Sequence, residues 1–204
     1  MKISMFNIKT ETEFLKNRSH LDINEINENG ETVLFESDFE KISWLLKYNV
    51  NINYQNPYNG CNALYTEYEI ETSERTRLLI DSGININSLN KNKETPLFYM
   101  YKKESKRLLI EAGINIHQIN AFGLDALHSA DINTATCLIS KGINILRYPS
   151  DLNEICEMVK YHSVGRLIKE ARDTLLVKMT KEEKEIILSK MDINIGSENK
   201  IKRI

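Results

Sequence analysis

A short phrase returns along the chain at nearly regular intervals, and no other feature of the sequence restricts the fold as strongly. It reads LDIN at 21–24, VNIN at 50–53, GININ at 83–87, GINIH at 113–117 and GINI at 142–145. Gly83, Gly113 and Gly142 stand 30 and 29 residues apart, and Asn49 holds the matching place 34 residues before Gly83. A period near 30 signals stacked supersecondary units, each too small to bury its apolar face alone. Immediately before the phrases lie apolar helical patches: WLLKYN at 44–49, RLLIDSG at 77–83, KRLLIEAG at 106–113 and TCLISKG at 136–142. Each patch reads as a helix end, because glycine supplies the left-handed residue that closes a helix and asparagine is the next-best choice.

Eight to ten residues beyond the phrases comes a second signature: GETVLF at 30–35, GCNALY at 60–65, KETPLF at 93–98 and GLDALH at 123–128. Thr32, Asn62, Thr95 and Asp125 are N-cap residue types, and Pro96 sits where a helix tolerates proline, its first turn. The expected unit is a turn, a short helix, a loop and a second helix, repeated four times between about residues 25 and 145.

This pattern resembles the ankyrin repeat, whose T-P-L-H-x-A opens the first helix and whose L-L-x-x-G-A-D-V-N closes the second. ETPLF with RLLIEAGINIH matches it best, followed by GLDALHSA with CLISKGINI. The resemblance implies an all-α ankyrin-repeat solenoid of about four repeats. These repeats are shortened: Thr95 to Leu108 spans 13 residues, against about 16 in the family pattern. Only Asn62 to Leu78 keeps 16, so most first helices should be barely two turns long. Residues 1–24 read as a degenerate N-terminal capping repeat with a capping box from Thr10 to Glu13, and 25–146 as the repeats. Residues 147–195 read as a helical C-terminal cap of three amphipathic segments, with Ser150 and Thr180 as N-caps and Glu183 completing a second box. Residues 196–204 are expected to be a flexible tail.

Composition bounds the function. The chain has 204 residues, 41% hydrophobic and 27% charged, with a formal charge of −2. That is globular composition without the basic field that drives nucleic-acid binding. No stretch is long and apolar enough for a membrane span, and the opening residues lack a secretory signal, so a cytoplasmic protein is expected. The 22 Asn and 26 Ile follow a bias common in AT-rich bacterial and viral coding sequence. Three cysteines, Cys61, Cys137 and Cys156, include no C-x-x-C, and the four histidines have no metal spacing. The resemblance makes His128 a structural residue linking turns, and Cys137 reads as a buried small hydrophobe. No Cys–His–acid group is legible around any thiol, and the glycines mark turns rather than a phosphate loop. No enzyme, cofactor or metal site is therefore expected.

What remains is uneven charge and a band of aromatics. Seven acidic residues and no Lys or Arg lie between Asp22 and Glu40, Glu67 to Glu74 continue the acidity, and Lys91 to Arg107 is mostly basic. In the resemblance, turn tips and first helices line a concave surface where protein partners bind. Tyrosine and phenylalanine there suit an interface because they combine large apolar area with low conformational cost. Glu28, Glu31, Tyr58, Tyr68, Lys91, Tyr99, Tyr101 and Phe122 are the expected partner-binding residues. Two kinds of protein partner fit a chain expected to be monomeric when free. As an immunity or inhibitor protein it would neutralise a bacterial toxin, its acidic end meeting a basic toxin domain. As a translocated bacterial effector or viral host-range factor it would engage a eukaryotic protein.

Overall fold

The computed structural model describes residues 3–66, 73–181 and 183. Among these residues there are eight α-helices and no β-strand, only an isolated bridge between Ile26 and Thr32. The chain divides into two compact units, Met1–Ala126 and Leu127–Ile204.

In the first unit, α1 (Glu11–Asn17) is capped by the Thr10 hydroxyl, which accepts from the Glu13 amide at 3.2 Å. The Glu13 carboxylate accepts from the Lys9 amide at 2.9 Å, so the expected box closes one residue before the cap. Phe14 sits 5.4 Å from Trp44 and 4.9 Å from Tyr48, ring to ring, and so holds α1 on the first repeat. That repeat has a single-turn α2 (Val33–Glu36) and a longer α3 (Phe39–Leu45), continued by a 3-10 turn over Leu46–Tyr48. Asn49 ends it at φ 57°, the left-handed conformation expected from its place in the repeat. The later second helices of this unit are α4 (Glu74–Asp81) and α5 (Lys103–Glu111).

Gly83 and Gly113 close α4 and α5 at φ 83° and 85°. The Ile84 amide donates back to Leu79 O and the Ile114 amide to Leu109 O, both at 3.1 Å, so orphan carbonyls at the helix ends are satisfied. Leu79 and Leu109 are fully buried, and Ile84 and Ile114 are buried as well. One leucine per short helix, Leu34, Leu64 and Leu97, completes the stacked layer.

The short helices are shorter than the two turns expected. After α2 come 3-10 turns at Ala63–Tyr65 and Pro96–Phe98, and residues 126–129 form a turn without a helix. Asn62 caps its turn through the Leu64 amide, but Thr32 and Thr95 are buried with hydroxyls that cap nothing. A one-turn helix closes too few internal bonds to stand alone, so these segments are held by side chains from other elements. Arg75, only 4% exposed at the start of α4, is the clearest example. Its guanidinium donates to Leu34 O (2.9 Å), Ser37 O (3.1 Å) and Thr66 O (2.8 Å), at the ends of two short helices.

The second unit contains α6 (Ile132–Ser140), a 3-10 turn at Ile145–Arg147, α7 (Leu152–Met158) and α8 (His162–Lys178). Gly142 closes α6 in the manner of the earlier glycines, at φ 84°. Asp151, not Ser150, caps α7, accepting from the Asn153 and Glu154 amides; it stands one residue nearer the helix and adds a charge that suits the helix dipole. Leu138, Ile155, Val164 and Ile168 form the core, whereas Cys137 is half-buried rather than enclosed. His128 Nδ1 lies 2.6 Å from Met158 O, the structural linking role implied for it. Thr180 and Glu183 make the reciprocal box: the Thr180 amide donates to Glu183 Oε2 (2.8 Å) and the Glu183 amide to Thr180 Oγ1 (3.3 Å). The remainder of that segment and the tail at 196–204 lie outside the described residues.

Candidate interaction surface

The turns of the first unit are built by asparagines. Each tip begins at Asn27, Asn56, Asn90 or Asn120, whose amide donates across the turn to Glu31 O, Cys61 O, Glu94 O or Leu124 O at 2.8–3.0 Å. The side chain then folds over the turn it has opened. Asn90 Oδ1 accepts from the Asn92 and Glu94 amides, both at 2.9 Å, and Asn120 Oδ1 from the Phe122 and Leu124 amides at 3.0 and 2.9 Å. Local bonds of this kind pre-form a turn, which is why short polar side chains are favoured in it.

Successive tips are also tied together. Asn56 Nδ2 donates to Asn29 O (2.8 Å), the Lys91 amide to Asn59 O (2.8 Å) and the Ala121 amide to Asn92 O (2.7 Å). Below them the repeated phrase makes a ladder. Asn24, Asn53 and Asn87 each accept, through Oδ1, from the backbone amide of Asn51, Asn85 and Asn115 at 2.6–2.7 Å. The asparagine excess therefore has a structural cause that coding bias does not supply. Its signal was present in the sequence, since these residues recur in phase with the repeat. Gly60 shows how close the tips come: at φ 79°, a Cβ there would stand 3.0 Å from Asn90 Cα, so only glycine lets the backbones meet.

On this framework Glu28 and Lys91 are exposed, Tyr58 and Phe122 are 67% and 69% exposed, and Glu31 is half-buried, all on the tips. Tyr101 is 86% exposed, beyond the Pro96–Phe98 turn. Tyr99 is not exposed in this way: it is half-buried, edge-on to Tyr65 at 5.3 Å, and its hydroxyl accepts from Asn90 Nδ2 at 3.1 Å. Burial, with the neighbouring Glu94, pushes its phenol up. Tyr68 and the acidic residues Glu67, Glu69 and Glu71 lie outside the described residues. Three apolar side chains at one register, Ile26, Leu89 and Ile119, are 40–53% exposed just before their tip asparagines. They are not among the partner-binding residues expected from the sequence, although I-N, L-N and I-N at 26–27, 89–90 and 119–120 carry the pattern.

Part of the uneven charge is spent on structure. Asp38 caps α3, Glu25 Oε2 accepts from Ser4 Oγ and the Met5 amide at 2.8 Å, and Glu36 accepts from Asn27 Nδ2. On the basic side Lys106 is buried, and Arg107 is paired with Glu104 and Glu111. Exposed Glu28 remains on the first tip and exposed Glu40 at the start of α3, with Lys91 and Lys93 on the third tip. Among the described residues no group of three or more His, Cys, Asp or Glu could hold a metal ion, and no helix is long and apolar enough to cross a membrane.

No family model matches the chain, and no curated protein matches it. Among solved structures it is similar to the crystal structure of the ankyrin repeat domain of Bcl-3, a member of the IkappaB protein family. The TM-score is 0.50 at 20% identity, over 59% of this chain. The match spans 56% of the length of that domain. With stacked helix pairs closed by left-handed residues and linked turn tips, the chain has the all-α fold of an ankyrin-repeat solenoid.

Proposed function

We propose that the chain is a protein-binding module that works through the tips of its first unit, with Tyr58 and Phe122 as anchors and Ile26, Leu89 and Ile119 as the apolar floor. The observation that carries this reading is the exposure of these five side chains on tips fastened to one another by hydrogen bonds to backbone carbonyls. Such a surface is ordered before it binds, so the entropic cost of forming the interface is low. Exposed aromatics on a rigid support are the usual carriers of interface energy. The partner we propose is a basic protein, and the role is that of an inhibitor or immunity protein covering the partner's functional surface. Glu28 and Glu31 would steer the encounter, an effect screened beyond about 10 Å at 0.1 M salt.

The test starts from a partner captured by the intact chain in native lysate and proceeds to binding kinetics with purified variants. Phe122→Ala and Tyr58→Ala should each raise the dissociation rate, at least one by about tenfold, as expected when an anchor worth more than about 1.4 kcal/mol is lost. Glu28→Lys with Glu31→Lys should slow association and flatten its salt dependence. Lys141→Glu, exposed after α6 in the second unit, serves as the control. Binding that survives both aromatic truncations but fails with the control would refute the tip surface.

A further inference from the structure

Two residues that the sequence sets apart meet in the second unit. Cys156 on α7 and His162 at the start of α8 place Sγ 3.2 Å from Nδ1. The thiol can reach there because residue 165 is glycine: a Cβ at Gly165 would fall 2.5 Å from Sγ. Sγ thus lies against the first turn of a 17-residue helix whose N-cap residue, Tyr161, offers no side-chain cap. Cys156 is half-buried and His162 exposed, so small solutes can reach the pair. A thiol 3.2 Å from an imidazole and open to solvent has the surroundings of a reactive cysteine.

We propose that Cys156 and His162 form a reactive thiol site at which hydrogen peroxide modifies the chain. The thiol proton passes to His162 Nδ1, and the thiolate attacks one peroxide oxygen. As the S–O bond forms the O–O bond breaks, and the departing hydroxide takes the proton from the imidazolium as water. Sulfur is oxidised by two electrons to the sulfenic acid while peroxide is reduced. The proposal is independent of the tip surface, which belongs to the other unit.

The chain carries its own controls. Cys137 is also half-buried but stands on the body of α6, and the Cys61 thiol is buried and pushed up to about 11. Iodoacetamide pulses on the native full-length chain at neutral pH, read by peptide mass spectrometry, give the three rates, and peroxide followed by dimedone reports sulfenic acid. Cys156 should be alkylated about tenfold faster than Cys137 and should carry the dimedone adduct, while Cys61 stays protected. His162→Gln should slow Cys156 about tenfold and leave Cys137 unchanged. Mere loosening of the α7 and α8 contact would expose the thiol and speed its labelling, the opposite sign. Equal rates at Cys156 and Cys137, or a Cys156 rate that His162→Gln leaves unchanged or increases, would overturn the proposal. An unchanged Cys137 rate, read in the same unit, verifies that the variant is folded.

Discussion

Arg75→Met tests whether the one-turn helices are held from outside. The native guanidinium donates to three backbone carbonyls and, at 3.2 Å, to Thr66 Oγ1. Methionine keeps the apolar stem but none of the donors. A buried carbonyl deprived of its donor costs ~1–3 kcal/mol, so three would cost ~3–9 kcal/mol. Removing a buried cation recovers several kcal/mol of desolvation, which leaves a net loss of ~2–4 kcal/mol. Arg75→Lys should lose ~1–2 kcal/mol, because a single ammonium cannot reproduce the planar fork that spans carbonyls in different directions. Urea unfolding followed by fluorescence is a direct assay, since Trp44, the chain's one tryptophan, is buried on α3 in the same unit. The wild-type slope should be retained, with only the midpoint moved. A loss for Arg75→Met below about 0.5 kcal/mol, within the range of an ordinary surface substitution, would show that the short segments do not depend on this side chain.

Two further outcomes follow from the same packing. Gly60→Ala should destabilise the first unit by about 1–3 kcal/mol in thermal melts, because it adds a left-handed penalty to a close approach on the Asn90 backbone. Gly113→Ala, where φ is 85° but nothing lies near the missing Cβ, should cost less, and equal losses would remove the close approach as a cause. In alkali, burial, with Glu94 nearby, holds the Cys61 thiol up at about 11 against its ordinary 9.0. The folded state therefore favours the protonated form, and its contribution to stability is present below pH 9.0 and is lost as pH rises toward about 11. Cys61→Ala should flatten this part of the pH–stability curve, and an unchanged slope would assign the loss to other groups such as Tyr65, also raised by burial.

Much of the repeat was legible because helix endings are chemically local. Asn49, Gly83, Gly113 and Gly142 all adopt the left-handed conformation expected of them, a property fixed by one residue and its two dihedral angles. The short helices were overestimated because their residue types permit a helix while their length cannot sustain one. Tyr99 and Tyr58 illustrate the same limit at the candidate site. Both are tyrosines of the turn region, but Tyr99 has Asn90 and Tyr65 within reach, and Tyr58 extends from a tip. Cys156 and His162 could not be paired in advance, since their contact depends on the angle between two helices and on the missing side chain at Gly165.

The sequence by itself determined the period and the positions where the second helix of each repeat closes, because each depends on residue types recurring in phase. Only the tertiary structure decided which polar groups face each other across repeats. Asn53 finds the Asn85 amide, Arg75 finds the Leu34 carbonyl, and the acidic run divides into caps and a small exposed remainder. Such bonds join residues roughly 30 to 40 positions apart. They exist only when stacking brings one unit's donors over the next unit's acceptors, and burial then makes each unmatched group costly enough to select the pairing.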